Sequence, residues 1–249
     1  MMLTVDNYYD WYLKGKSLPE IMREIEKLRK TMASLKSKME SPKYNKENSC
    51  WPNEKMQICA TRAYLNRAKE AYVEDGGVYE PTKAEKKAAD FAARIPLIDK
   101  IILNIDSFNL GLEIRTVRFR DERTYLKINN PFYSYPSRKT CRHQLPISRE
   151  LFLQSIKGLN IGEWRPKYNV KRFGYTVIDG SDWSLEIYFS DEDKPFKVYG
   201  DNNYPYNFAD LYELLSFDKI GCGSEKENER VPFFFDKTGC TSEKLKYSH

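Results

Sequence analysis

The stretch Arg94-Ile95-Pro96-Leu97-Ile98-Asp99-Lys100-Ile101-Ile102-Leu103-Asn104-Ile105 is where the chain changes its period. Before it, apolar residues recur every three or four positions, the spacing of a helix face. After it, Ile101, Leu103 and Ile105 alternate by two, the spacing of a half-buried strand. Pro96 marks the change, because the residue before a proline is pushed out of the helical region. Helices first and strands afterwards define an α+β chain. The expected fold is an N-terminal helical hairpin with a short third helix, then a mainly antiparallel sheet with two inserted helices. The expected domains are 1–96, helical and coiled-coil-like, and 97–249, antiparallel α+β.

Upstream of Pro96, Ser17 precedes Leu18-Pro19-Glu20, so Ser17 caps a helix and Glu20 reaches back to its amide. Ile21, Ile25, Leu28, Met32, Leu35 and Met39 then follow at alternating steps of four and three, the seam of a coiled coil. A second helix is expected over residues 53–75, with Ile58, Thr61, Leu65, Ala68 and Tyr72 on one face and Gly76-Gly77 as its stop. Packing of the two as an antiparallel hairpin is the economical solution. A homodimer through helix 18–40 is the alternative use of the seam. Thr82 opens a third helix, with Ala84, Ala88 and Phe91 on one side.

Downstream, Leu112, Ile114 and Thr116 continue the alternation, but Val117 and Phe119 fall out of phase. That predicts a bulge or a strand buried on both faces. Tyr125 to Ile128 reads as a further strand, and Asn129 to Pro146 as a loop with three prolines. A helix over 149–157 is capped by Ser148. Strands are then expected at 173–178, 183–189 and 196–199, a helix after Asn207, and an edge strand at 231–235.

The 249 residues carry 41 Lys and Arg against 36 Asp and Glu, a net of +5. No apolar run approaches the roughly 20 residues of a membrane-spanning helix. No secretory leader is apparent at the N-terminus, and five cysteines are too few for a disulfide scaffold, so a cytoplasmic location is expected. The small net charge hides strong imbalances. Lys14 to Lys46 holds ten basic and four acidic residues, Ser137 to Arg172 nine and two, and Phe173 to Leu215 two and nine.

The central basic region is interleaved with rings. Tyr125, Lys127, Tyr133, Tyr135, Arg138, Lys139, Arg142, Arg165, Lys167, Lys171 and Arg172 are the candidate residues for nucleic acid or another partner. Cations neutralise phosphates and flat rings stack on bases without reading sequence. The nearly equal and opposite charge of the 179–213 segment favours a different role, in which the two segments pair within the molecule. Tyr199, Tyr204 and Tyr206 form a second aromatic candidate for partner binding, although rings in such a corner more often pack between strand and helix.

No catalytic set stands out. His143 and His249 are the only histidines, and Cys141 lies two residues from His143. Spacing alone does not bring thiol and imidazole together. Cys141, His143, Cys222 and Cys240 lack the close cysteine spacing of structural zinc sites. No glycine-rich phosphate loop is present. Neither a metal nor a cofactor is expected, and a non-enzymatic protein is favoured over an enzyme working through Cys141 and His143.

The text Tyr199-Gly200-Asp201-Asn202-Asn203-Tyr204-Pro205-Tyr206-Asn207-Phe208, with Gly76-Gly77-Val78-Tyr79-Glu80-Pro81-Thr82 ahead of it, resembles pieces of uncharacterised proteins of gut anaerobic bacteria and their mobile elements. The resemblance covers about half the chain in scattered pieces and implies no catalytic residues. It implies a macromolecule-binding protein with a protein or ribonucleoprotein partner. An anti-CRISPR-like inhibitor of a host nucleic-acid-guided defence complex is one such protein. Single-stranded nucleic-acid binding through residues 125–172 is the alternative.

Overall fold

A computed structural model of the chain describes residues 2–44, 50–107, 111–129, 140–177 and 180–216. They form two compact units, one ending at Thr82 and one beginning at Lys83. The expected segment 231–235 and residues Tyr133, Tyr135, Arg138 and Lys139 lie outside the described residues.

The first unit holds α1 (Val5–Tyr12), α2 (Leu18–Met39) and α3 (Glu54–Glu74). Helix α1 has no counterpart in the sequence reading. Thr4 caps it by accepting from the Asn7 amide at 3.2 Å. Ser17 and Glu20 form the expected capping box, with the Ser17 amide donating to the Glu20 carboxylate at 2.9 Å. The α2 seam is occupied within the chain. Ile21, Ile25, Leu28 and Met32 are buried in one cluster with Leu65, Ala68 and Ala71 of α3 and Tyr8 of α1. Tyr8 stacks on Tyr64 at 4.1 Å and donates its hydroxyl to Glu24 at 2.5 Å.

The second unit begins with α4 (Lys83–Arg94). The sequence placed the division near residue 96, but α4 packs with the sheet. Phe91 lies 4.7 Å from Phe196 between ring centres, and a Cβ on Gly162 would fall 2.8 Å from the Phe91 Cβ. Seven strands follow: β1 (Ile98–Ser107), β2 (Gly111–Arg120), β3 (Arg123–Asn129), β4 (Thr140–Ser148), β5 (Lys167–Asn169), β6 (Ser181–Phe189) and β7 (Glu192–Asp201). Helix α5 (Arg149–Gly158) joins β4 to β5, and α6 (Phe208–Leu214) follows β7. The sheet order is β4-β3-β2-β1-β6-β7-β5, antiparallel except for the short parallel pair of β5 with β7.

Two expectations are corrected. Residues 140–148 form a strand and not a loop, because Pro146 sits on the sheet edge. There a missing amide breaks no ladder, and the β3–β4 register shifts beside it. Phe173 to Val177 is not a strand. Phe173 closes a 3-10 turn, Val177 is exposed, and the pairing with β7 is made instead by Lys167–Asn169.

The out-of-phase strand has a single cause. β2 pairs with β1 without a bulge from Lys100↔Arg118 to Ser107↔Gly111. Its core-facing positions are Glu113, Arg115, Val117 and Phe119, so a charged residue occupies a core site. Arg115 is 4% exposed and fully engaged. It pairs with Glu113 at 2.6 Å, donates to the Leu215 carbonyl at 2.5 Å and to the Tyr212 hydroxyl at 2.9 Å, and lies over the Tyr212 ring.

Helices α4, α5 and α6 share one core. Phe91, Phe152, Ile156 and Leu211 are buried with Ile101, Leu103, Val117, Leu126, Leu185, Ile187 and Val198 of the strands. The corner from β7 to α6 completes it. Trp183 donates to the Asn203 carbonyl at 2.8 Å, and Gly200 is required because a Cβ there would fall 2.2 Å from the indole nitrogen. Asn207 makes no cap with its side chain. Its carboxamide oxygen accepts from Trp164 at 3.0 Å and its nitrogen donates to the Leu159 carbonyl at 2.7 Å. No helix among the described residues is long and apolar enough to cross a membrane.

Asn207→Ala leaves the buried Trp164 N–H and Leu159 carbonyl without this partner, so it should cost about 1–3 kcal/mol. Urea unfolding of the variant should show a lowered midpoint. An unchanged midpoint would mean that the carboxamide is not what ties α6 to the sheet.

Candidate nucleic-acid interface

The sheet buries one face only. On the other, every described residue is half-buried or exposed. An antiparallel sheet tolerates this, with polar side chains alternating outward against apolar ones inward. The strand register fixes which side chains stand together across the open face.

One row reads Gln144–Tyr125–Arg118–Lys100–Tyr188 across β4, β3, β2, β1 and β6. The next reads Arg142–Lys127–Thr116–Ile102–Glu186–Lys197. Toward the β2–β3 turn, Arg120 stands opposite Arg123. Three directly opposed positions therefore set cation against cation, Lys100 with Arg118, Arg120 with Arg123, and Lys127 with position 142 of β4, while Asp106 opposite Asp182 and Asp182 opposite Asp201 set carboxylate against carboxylate. Directly opposed like charges destabilise a sheet. Arg118, Arg120, Arg123 and Lys127 have no ion-pair partner among the described residues. The Lys100 ammonium lies 3.7 Å from the centre of the Tyr188 ring.

Beyond β1 the face changes character. The Glu186 carboxylate accepts from Lys197 at 2.7 Å and from the Tyr188 hydroxyl at 2.5 Å. The Lys197 bond, then the Tyr188 bond, holds the Glu186 carboxyl below its ordinary value. The same carboxylate raises both Tyr188 and Lys197. Around Glu186 the charges are therefore paired, whereas the cations of β2 and β3 and the Asp106–Asp182–Asp201 row of β1, β6 and β7 are not.

The sequence-derived candidates divide accordingly. Tyr125, Lys127 and the Arg142 position come together on the open face. Arg165, Lys167, Lys171 and Arg172 lie in and around β5, at the opposite edge of the sheet. Tyr199 is 50% exposed on the open face, with the Lys167 ammonium 5.5 Å from its ring. Tyr204 packs in the corner, stacked on Trp183 at 6.0 Å, with its hydroxyl bonded to Ser181. Tyr206 is half-buried in the turn before α6.

The central basic region divides between the two edges of the sheet: β4 is separated from β6 by three strands, whereas β5 pairs directly with β7, Lys167 standing opposite Tyr199 and Asn169 donating to Asp201 at 3.1 Å. In the acidic hairpin, Arg94 reaches Asp191 at 2.8 Å and Glu192 at 2.6 Å, and Lys197 pairs with Glu186. Lys100, Arg118, Arg120 and Arg123 were missed by the sequence reading. Their signal was present, since Arg118 and Arg120 alternate with core-facing Val117 and Phe119.

Cys141 and His143 occupy β4 register positions opposite Ile128 and Leu126. Among the described residues, no group of three His, Cys, Asp or Glu side chains is placed to hold a metal. No family model matches the chain, and no curated protein and no solved structure matches it.

Two measurements check this electrostatic picture. Arg123→Thr removes one like-charge pair and should raise stability by about 0.2–1 kcal/mol at low salt, with the gain fading as salt is added. Loss of stability would mean that Arg123 has a favourable partner. Separately, the depressed Glu186 group contributes stability that is present above its ordinary value of 4.5 and lost as pH falls through the folded value. The stability gap between the protein and Glu186→Gln should therefore be full at neutral pH and close on acidification. A pH-independent gap would sink the assignment.

Proposed function

We propose that the protein is a non-enzymatic, cytoplasmic macromolecule-binding protein that holds single-stranded nucleic acid on the open face of its sheet. The observation that carries this reading is the set of like-charge pairs across β1, β2, β3 and β4. They oppose folding in the free protein, and a polyanion laid over them turns that repulsion into binding. Tyr125 and Tyr188 flank the first row, three strand spacings apart, or about 14 Å. Rings among cations give bases a stacking platform that tolerates any sequence.

A protein or ribonucleoprotein partner is the second reading, and the resemblance to mobile-element proteins favours it. In that setting the basic face would engage an exposed strand of a nucleic-acid-guided defence complex, as an anti-CRISPR-like inhibitor does. A homodimer through helix 18–40 would have to form outside the seam already buried against α3, at half-buried Leu35 and Met39.

Fluorescence anisotropy with a labelled single-stranded oligonucleotide, titrated across a salt series, tests the first reading. Affinity should fall with salt, with a logarithmic slope of about −0.7 for each phosphate neutralised. The Tyr125→Leu/Arg118→Ser/Lys127→Ser variant should bind at least about tenfold more weakly, since a stacked base alone contributes roughly 1–3 kcal/mol. Salt-independent binding, or a variant that binds as well as the parent, would refute single-strand binding here. Binding to a guide-loaded complex but not to the free strand would favour the second reading.

A further inference from the structure

A pocket of about 400 Å³ lies between α4 and the β6–β7 hairpin, on the covered side of the sheet. Three lysines of α4 line it, Lys83 and, one turn on, the adjacent Lys86 and Lys87. Lys83 and Lys86 have no partner among the described residues. Lys87 donates to the Trp164 carbonyl at 3.1 Å and lies 5.3 Å from the centre of the Phe196 ring. Burial lowers its pKa, so its charge is already held partly away from water.

The rest of the lining is of a different kind. Arg94 is neutralised by Asp191 and Glu192, and its guanidinium lies flat over Phe189 at 4.0 Å. Asp90 supplies a carboxylate to the lining. The floor is aromatic: Phe91 and Phe189 are buried, and Phe196 is half-buried with part of its ring facing the space. The volume falls in the range of small-ligand sites, about 300–1,000 Å³.

Lysine ammonium groups, a ring surface and a carboxylate acceptor in one pocket form three features that a nucleoside phosphate satisfies together. We propose that this pocket binds a mononucleotide, with the phosphate on Lys83, Lys86 and Lys87, the base against Phe196 and a sugar hydroxyl donating to Asp90. Inorganic phosphate uses only the first feature, and a nucleoside only the other two. The site is separate from the open face, because α4 packs on the opposite side of the sheet.

Titration of the full chain with AMP, adenosine and inorganic phosphate, read by calorimetry, tests this. AMP should bind at least about tenfold more tightly than either fragment, as expected when charge-assisted bonds and ring contact act together. Lys83→Ala/Lys86→Ala, which alters exposed side chains only, should weaken AMP at least about tenfold. Phe196→Leu should weaken AMP and leave phosphate unchanged. AMP binding no tighter than phosphate would overturn the proposal, leaving only attraction of phosphate to surface lysines. AMP affinity untouched in the lysine variant would overturn it too. The Tyr125→Leu/Arg118→Ser/Lys127→Ser variant should keep its AMP affinity. Loss there would move the nucleotide to the open face and reject the pocket.

Discussion

The sheet unit depends on β1 burying one of its two faces. Ile101 and Leu103 are fully excluded from solvent, while Lys100, Ile102 and Asn104 between them are not. β1 lies at the centre of the order, paired with β2 on one side and β6 on the other. Its alternation is therefore copied outward through the register, and a slip of one residue would exchange every inward for every outward side chain. All three helices of the unit find their apolar partner on the same side. The opposite face keeps its polar row because nothing in this unit needs to cover it.

That same alternation explains what the sequence made legible. Seams, caps and turns gave α2 to α6, and the strands β1, β2, β3, β6 and β7 announced themselves by period. The failures have separate physical origins. Arg115 hid the phase of β2, because a guanidinium at a core position reads as an outward residue until Tyr212, Glu113 and the Leu215 carbonyl are seen around it. β4 was hidden by Pro146, which an edge strand accepts. Asn207 stands where a cap would precede α6, but its side chain is a buried clasp between Trp164 and Leu159. For the candidate site, Tyr125 and Lys127 were legible from interleaved rings and cations. Arg118 and Arg120 could be placed outward from their alternation with Val117 and Phe119, but only register shows that they stand opposite Lys100 and Arg123.

The opposed cations also relate stability to use. Arg118 and Lys127 each have a hydroxyl residue across one side, Tyr125 and Thr116, but a sheet selected for stability alone would not set Lys100 across from Arg118 or Arg123 across from Arg120. The same face pairs charges favourably at Glu186, which sits between Lys197 and Tyr188, and sets like charges together again at Asp106, Asp182 and Asp201. A bound anion stabilises the fold by mass action, so occupancy and folding are thermodynamically linked.

The arrangement of charge on the open face has a further consequence. With uncompensated cations gathered on β1, β2 and β3 toward the β2–β3 turn, and Asp106, Asp182 and Asp201 in one row at the other end of β1, β6 and β7, the face carries an electric dipole along its strands. In the field of a polyanion such a dipole feels a torque as well as a pull. The unit would turn its β2–β3 turn toward the phosphates before contact and hold the aspartate row away. Orientation would thus be settled during approach, over distances set by the Debye length, with a rate advantage that fades as ionic strength rises.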